Sequence, residues 1–160
     1  VALLEGAAGN RARAHGDGAA ITAEGALLEP AAALPNPHLP PGDYACRVIK
    51  LGTPAGSTLA YVAYPRFRCR VAAEQDIFSF TKITGSQRQV GLIFDDNDRR
   101  KIFLGTLMLG DETRAPAYGA DAERNLAGLV ERIGPNRWRI VFPRPAFESM
   151  IDVMELVPEA

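Results

Sequence analysis

The sequence predicts a mostly β protein, an eight-stranded antiparallel up-and-down barrel preceded by an N-terminal helical arm. Residues 66–71 provide the first observation, because three arginines alternate there with Phe67, Cys69 and Val71. Successive side chains of a strand point to opposite faces, so this alternation is typical of a half-buried strand. The second observation is that strand-like runs separated by short turns fill the rest of the chain, which favours antiparallel pairing of neighbours.

Eight strands are expected when the run at 59–72, which Pro65 interrupts, is counted as one broken strand. They lie at residues 44–51, 59–72, 77–83, 89–94, 100–109, 126–133, 138–142 and 150–157. Eight antiparallel strands suffice to close a small barrel and to leave no sheet edge unpaired. Trp138 alternates with Ile140 and Phe142 and is predicted to anchor the core. A β-sandwich is the alternative, and the sequence leaves open whether a barrel interior is filled or hollow.

Residues 1–42 are expected to form an arm and connector, and residues 43–160 the barrel domain. Five prolines fall between residues 30 and 42. They exclude a helix or a central strand there, so this part is expected to be an extended connector that wraps the domain. Both histidines, His15 and His38, precede the barrel and are predicted to have no catalytic role.

The arm itself is expected to contain a helix over residues 18–28. Asp17 is the candidate N-cap, and Gly25 weakens the helix interior. Apolar residues at helical spacing would form a narrow stripe that packs on another part of the protein, and they are Ile21, Leu27 and Leu28.

Cys46 and Cys69 are the two cysteines, and each lies in a strand-like run. On neighbouring strands they could form a disulfide, which would indicate an oxidising compartment. Closing a loop of this size would stabilise the fold by roughly 3 kcal/mol. The alternative is that both are buried free thiols that act as small apolar side chains.

The composition limits the classes of function that the protein can have. Lys plus Arg is 18 and Asp plus Glu is 19, giving a formal net charge of −1. This balance argues against binding to nucleic acid or to an anionic membrane surface. The apolar runs are too short for a transmembrane helix, so no such segment is expected. Val1 stands where an initiator Met is usual, which is compatible with a removed leader.

Two turns contain candidate binding residues. Ser86, Gln87 and Arg88 offer hydrogen-bonding groups at one rim of the barrel. Asp95 and Asn97 lie at the opposite end of the strand that follows. A nucleophilic serine needs a positioned base, which the barrel lacks, and the acidic turn lacks the glycine and distal glutamate of a calcium loop. No metal site is therefore expected.

The carboxylates are candidates for acid–base chemistry. Those considered are Glu131, Glu148, Asp152 and Glu155. Arginines are frequent beside them in the sequence, so cross-strand ion pairs explain them better than a catalytic pair does. We therefore assign no catalytic residue and expect no cofactor.

Seven segments carry a likeness to a known family. They read GDYACRVIKLG at 42–52, RCR at 68–70, TGSQR at 84–88, FLGT at 103–106, GLVERIG at 128–134, RWR at 137–139 and FESMIDVMELVP at 147–158. Together they resemble the bacterial domain-of-unknown-function family 4893 over nearly the whole chain. The resemblance implies an exported protein of Gram-negative bacteria, periplasmic or secreted after loss of its leader. It implies no activity, so it assigns no catalytic residue.

A fainter likeness is to bacterial periplasmic inhibitors of secreted metalloproteases, which are eight-stranded barrels with an early disulfide and an N-terminal arm. Because the barrel contains no histidine and the arginines beside the carboxylates would keep them ionised, we expect a non-catalytic binding or inhibitory module whose partner is a small apolar ligand or a protein such as a protease. The alternative is a hydrolase-type enzyme with a carboxylate or serine site at the barrel mouth, using Ser86 or Glu148.

Overall fold

A single antiparallel sheet closes on itself in the computed structural model, which describes residues 17–52, 60–143 and 151–159. Within this part of the chain the strands are β1 Gly42–Leu51, β2 Tyr61–Ala63, β3 Phe67–Glu74, β4 Ile77–Lys82, β5 Gln87–Asn97, β6 Arg100–Leu109, β7 Asn125–Gly134, β8 Arg137–Pro143 and β9 Ile151–Pro158. Strand β9 pairs with β1 over eight residue positions and closes the sheet. The predicted eight-stranded antiparallel barrel is confirmed, with one additional short strand.

The additional strand is half of the broken strand expected from the sequence. Strand β2 pairs with the end of β1, and β3 pairs with its beginning. Both lie on the side of β1 that β9 leaves free. Pro65 lies between them, and proline cannot donate to a strand ladder, so the pairing is interrupted there.

The alternation in β3 has the expected result. Cys69 and Val71 point into the barrel and are buried, whereas Arg68 and Arg70 point outward and are exposed. Cys46 and Cys69 are joined by a disulfide between β1 and β3, as predicted. This bond indicates an oxidising, extracytoplasmic setting.

The middle of the barrel is filled by aromatic rings. Phe103 contacts Phe80 and Phe142 edge to face, with ring centroids 5.8 and 5.6 Å apart. The Phe103 ring lies over Gly91 and Gly105, which are opposite each other on β5 and β6. A Cβ atom would lie 2.8 Å from the Phe103 ring at Gly91 and 2.6 Å from it at Gly105, so these glycines provide the space that the ring occupies.

One end of the barrel is closed by the connector. Leu39 is fully buried in the same core cluster as the inward-facing strand residues. Trp138 is also buried and donates a hydrogen bond from its indole nitrogen to the His38 carbonyl, at 3.1 Å. Its ring meets that of Tyr44 edge to face. The predicted core position of Trp138 is confirmed.

The arm packs on the outer face of the barrel. Helix α1 spans Gly18–Ala23, and a 3₁₀ helix follows at Gly25–Leu27. The α-helix is shorter than the predicted 18–28 because Gly25 adopts a left-handed conformation with φ of 60°. Asp17 occupies the N-cap position, but its side chain makes no capping hydrogen bond. The expected apolar stripe is confirmed, since Ile21, Leu27 and Leu28 are buried against outward-facing residues of β1, β8 and β9.

The proline-rich connector lies along the barrel from the arm to β1. Leu34 donates a backbone hydrogen bond to the Arg132 carbonyl, and Asn36 donates one to Asp98. The Arg132 guanidinium donates in turn to the carbonyls of Pro35 and Asn36. His15 and the other residues before Asp17 lie outside the described part of the chain. Within that part, no helix combines the length and the apolar character needed to cross a bilayer.

Candidate functional site

A cavity of about 240 Å³ opens at the end of the barrel opposite Leu39. We call it the mouth pocket, and the described residues that line it are Val48, Lys50, Tyr64, Phe67, Lys82, Ser86, Gln87, Gln89 and Asp152. Four strands contribute the polar groups, because the inward positions nearest this end are polar on β1, β4, β5 and β9. Below them the aromatic rings fill the barrel, so the pocket is a shallow polar chamber and not a continuous channel.

Lys82 is the central cation of the pocket. Its side chain is almost completely buried, with the residue 5% exposed. The Nζ atom donates a hydrogen bond of 3.0 Å to the Gln87 carbonyl and lies 4.4 Å from the centroid of the Phe67 ring. No carboxylate lies within ion-pair distance of Lys82 in the described segments 17–52, 60–143 and 151–159. Burial, together with the positive charge of Lys50, lowers the pKa of Lys82 to about 8, against a smaller opposing effect of Asp152.

Lys50 and Asp152 form a second charged feature beside Lys82. They are opposite each other on β1 and β9, with Lys50 Nζ 3.4 Å from Asp152 Oδ2, and both are buried. Because both groups are buried, their electrostatic interactions with anything that enters the pocket are stronger than they would be in bulk water.

Gln89 supplies an acceptor. The residue is buried, and its Oε1 atom accepts no hydrogen bond from any residue that the structure describes. A shielded amide oxygen without a donor is destabilising, and such groups are few in native proteins. An N–H or O–H group entering the pocket would satisfy it.

The binding residues predicted from the sequence divide between the two ends of the barrel. Ser86 and Gln87 line the mouth pocket. Arg88 follows them but holds a neighbouring loop, since its guanidinium donates to the carbonyls of Gly110 and Glu112. Asp95 and Asn97 lie at the opposite end of β5.

At that far end Asp95 pairs with Lys101. Asn97 Oδ1 accepts backbone hydrogen bonds from Arg99 and Arg100 and so organises the β5–β6 turn. These contacts give Asp95 and Asn97 structural partners. Their predicted binding role stays a prediction.

Sequence reasoning missed Lys50, Lys82, Gln89 and Asp152 as pocket residues. A signal was present, because Lys50 is two residues after Val48 and Lys82 is two after Phe80, on the buried face of each strand. A charged residue in the apolar register of a strand marks either a barrel end or a site.

Carboxylates elsewhere form ion pairs, as the sequence suggested. Glu131 pairs with Arg139 at 2.9 Å, and Glu155 pairs with Arg137 at 2.7 Å. Glu148 lies outside the described residues. His38 lies at the closed end, with its ring 5.6 Å from that of Phe78, and thus at the far end of the barrel from Ser86.

Comparison with known proteins identifies the family. The family model described as Domain of unknown function (DUF4893) matches residues 4–156. The chain belongs to this family. No curated protein and no solved structure matches it. The expected membership in DUF4893 is thereby confirmed, while the likeness to protease inhibitors has no structural neighbour to support it.

Proposed function

We propose that this DUF4893 barrel is a non-catalytic binding module that takes a small anionic ligand into the mouth pocket. The observation that carries the proposal is the environment of Lys82, a buried ammonium without a carboxylate partner in the described part of the chain. Burying a charge without a counter-charge costs free energy, and a bound anion would recover that cost. Among the lining residues that the structure describes, two lysines and one aspartate give a net positive charge.

The size and polarity of the pocket support a small polar ligand. A volume of about 240 Å³ lies below the usual range for drug-sized molecules. The wall combines apolar side chains with the buried groups of Lys50, Lys82, Gln89 and Asp152, and these charged and amide groups suit an anion better than the small apolar ligand expected from the sequence. The rings of Phe80, Phe103 and Phe142 occupy the apolar middle of the barrel.

An inhibitory role through the arm receives less support. Residues 17–41 bind to the barrel through the buried stripe, the Arg139 contacts and Leu39. Entry of this segment into a protease cleft would require those contacts to break. The disulfide supports placement of the module in the periplasm or outside the cell.

Titration with simple anions tests the proposal. Acetate, lactate and inorganic phosphate are added to isotopically labelled protein, and amide chemical shifts are followed by NMR. At least one anion should shift resonances of β4 and the start of β5, whereas neutral acetamide should not. Lys82→Met should weaken that binding about tenfold or more, since a charge-assisted hydrogen bond is lost. Lys101→Met, which alters a lysine at the other end of the barrel, is the matched control.

Two results would overturn the proposal. The first is that none of the anions shifts the pocket resonances, or that Lys82→Met leaves their binding unchanged. The second is turnover of a hydrolase substrate that disappears in Ser86→Ala while the fold is retained. That outcome would favour the enzymatic alternative.

A further inference from the structure

We propose that Lys82 is a covalent site, whose amine forms a reversible imine with a small oxo acid bound in the mouth pocket. The inference rests on the proposed anion site and names the ligand class, a compound that carries both a carboxylate and an aldehyde or ketone. It extends the binding function to reversible covalent capture.

The geometry places one amine at the wall of the mouth pocket. Lys82 Nζ is held by the Gln87 carbonyl and the face of Phe67, so its direction is defined. A small carbonyl compound in a cavity of about 240 Å³ cannot lie far from this nitrogen.

Imine formation requires the neutral amine, and the pocket favours it. Lysines become nucleophilic when they are desolvated or placed beside another cation. Both conditions hold for Lys82, whose pKa is lowered to about 8. Near pH 7.4 the neutral amine is therefore far more populated in Lys82 than in an ordinary lysine, where it is about one in a thousand. Among the described lining residues, the charged and titratable groups beside Lys82 are Lys50 from β1, Asp152 from β9 and Tyr64 between β2 and β3, and β5 contributes the neutral Gln87 and Gln89.

The chain offers internal controls. Its three lysines are Lys50, Lys82 and Lys101. Lys50 pairs with Asp152, and Lys101 pairs with Asp95. An ammonium engaged in an ion pair has no lone pair to offer a carbonyl carbon, so Lys82 is the lysine in which the reaction should concentrate.

Two further groups fit the reaction. The positive charge of Lys50 attracts the carboxylate of the oxo acid into the pocket. Gln89 Oε1 has no donor among the described residues, and the hydroxyl of the addition intermediate would supply one. Both groups lie in the lining of the pocket that holds Lys82.

The step balances without an oxidant or reductant. The lone pair of Lys82 attacks the carbonyl carbon, a C–N bond forms, and the carbonyl oxygen takes a proton to give a carbinolamine. Loss of that hydroxyl with one more proton releases water and leaves a C=N bond, protonated on nitrogen. Addition of water reverses the sequence and frees the oxo acid.

Reductive trapping tests the inference. Glyoxylate is added with sodium cyanoborohydride, whose hydride reduces the imine to a stable secondary amine, and the site is mapped by peptide mass spectrometry. Carboxymethylation should occur at Lys82 at least about tenfold faster than at Lys101, because burial lowers the pKa of Lys82 whereas Lys101 is held in an ion pair with Asp95. Propanal, which lacks the carboxylate, should be trapped more slowly, and acetate should slow the reaction with glyoxylate. Gln89→Leu should reduce the rate at Lys82.

Lys82→Arg separates this inference from the proposed function. Arginine keeps the positive charge and does not form the imine, so the variant should retain anion-induced NMR shifts and lose the pocket carboxymethylation. Trapping at Lys82 no faster than at Lys101, while anions still shift the pocket resonances, overturns the imine and leaves the binding function standing. If neither glyoxylate nor the simple anions affect the pocket, both are overturned.

Discussion

Arg139 and Glu131 lie opposite each other on β8 and β7, with Arg139 Nε 2.9 Å from Glu131 Oε1, and both are buried. The other nitrogens of the guanidinium donate to backbone carbonyls of the arm, at Ala26, Leu27, Glu29 and Pro30. Carbonyls at the end of a helix have no partner within it. The arginine of this ion pair, on the outer face of the barrel, therefore supplies hydrogen-bond donors to the carbonyls at the end of the arm and fixes the arm's position.

Arg139→Met should destabilise the protein by about 3–5 kcal/mol, because it leaves Glu131 buried without its partner and removes the guanidinium donors from the arm carbonyls. Urea denaturation measures the change in the free energy of unfolding. Limited proteolysis should also show faster cleavage near residues 24–30. Arg68→Met is the matched control, since Arg68 is exposed and should change stability by less than about 1 kcal/mol. Equal effects of the two substitutions would contradict the anchoring role.

Gly91→Ala should cost about 1–3 kcal/mol, because the new methyl group would meet the Leu104 oxygen and the Phe103 ring in a filled interior. Gly18→Ala lies in helix α1, where a Cβ atom meets nothing within 4 Å, and should be neutral or stabilising by up to about 1 kcal/mol. Thermal denaturation of both variants compares them directly. A midpoint for Gly91→Ala equal to that of the wild type would mean that the ring does not occupy this space.

The Cys46–Cys69 disulfide should contribute about 3 kcal/mol, because it restricts a loop with a sequence separation of 23 in the unfolded chain. The double variant Cys46→Ala and Cys69→Ala should lose that amount in urea denaturation. Thiol titration of the denatured, unreduced protein should find no free thiol. Two titrated thiols per chain would disprove the bond.

Lys82→Met should raise stability near neutral pH by an amount on the order of 2 kcal/mol, because it removes a buried cation. The pKa of Lys82 is about 8 in the folded state and lies near 10.5 when unfolded. Between about pH 8 and 10.5 the unfolded chain binds more protons than the folded chain, so the free energy of unfolding of the wild type increases with pH. The advantage of Lys82→Met should therefore shrink from about pH 8 to 10.5.

Denaturation of both proteins across this range provides the measurement. The buried Tyr44 hydroxyl, whose pKa is raised to about 12, is common to both proteins and cancels in the difference. A difference that stays constant with pH would show that Lys82 does not titrate in this window.

The β5 strand shows where sequence patterns stop short. Val90, Leu92 and Phe94 share one face, as their spacing predicts, but that face is the outer one, and Leu92 and Phe94 are exposed. The inner face carries Gln89, Gly91 and Ile93. Alternation shows that two faces exist, whereas the direction of each depends on what lies across the barrel. Here the Phe103 ring occupies the space that a side chain at position 91 would need, so Gly91 lies on the inner face.

Local spacing by itself determined the strands, their antiparallel order, the buried position of Trp138 and the apolar stripe of the arm. These features follow from side-chain periodicity and short turns, which act between residues close in the chain. The mouth pocket was decided only by the tertiary structure. Lys50 and Asp152 are 102 positions apart in sequence, and they meet because barrel closure pairs β1 with β9 in one register. The same closure brings Lys82 and Gln89 beside them and removes their ammonium and amide groups from water, which is what makes these residues a site.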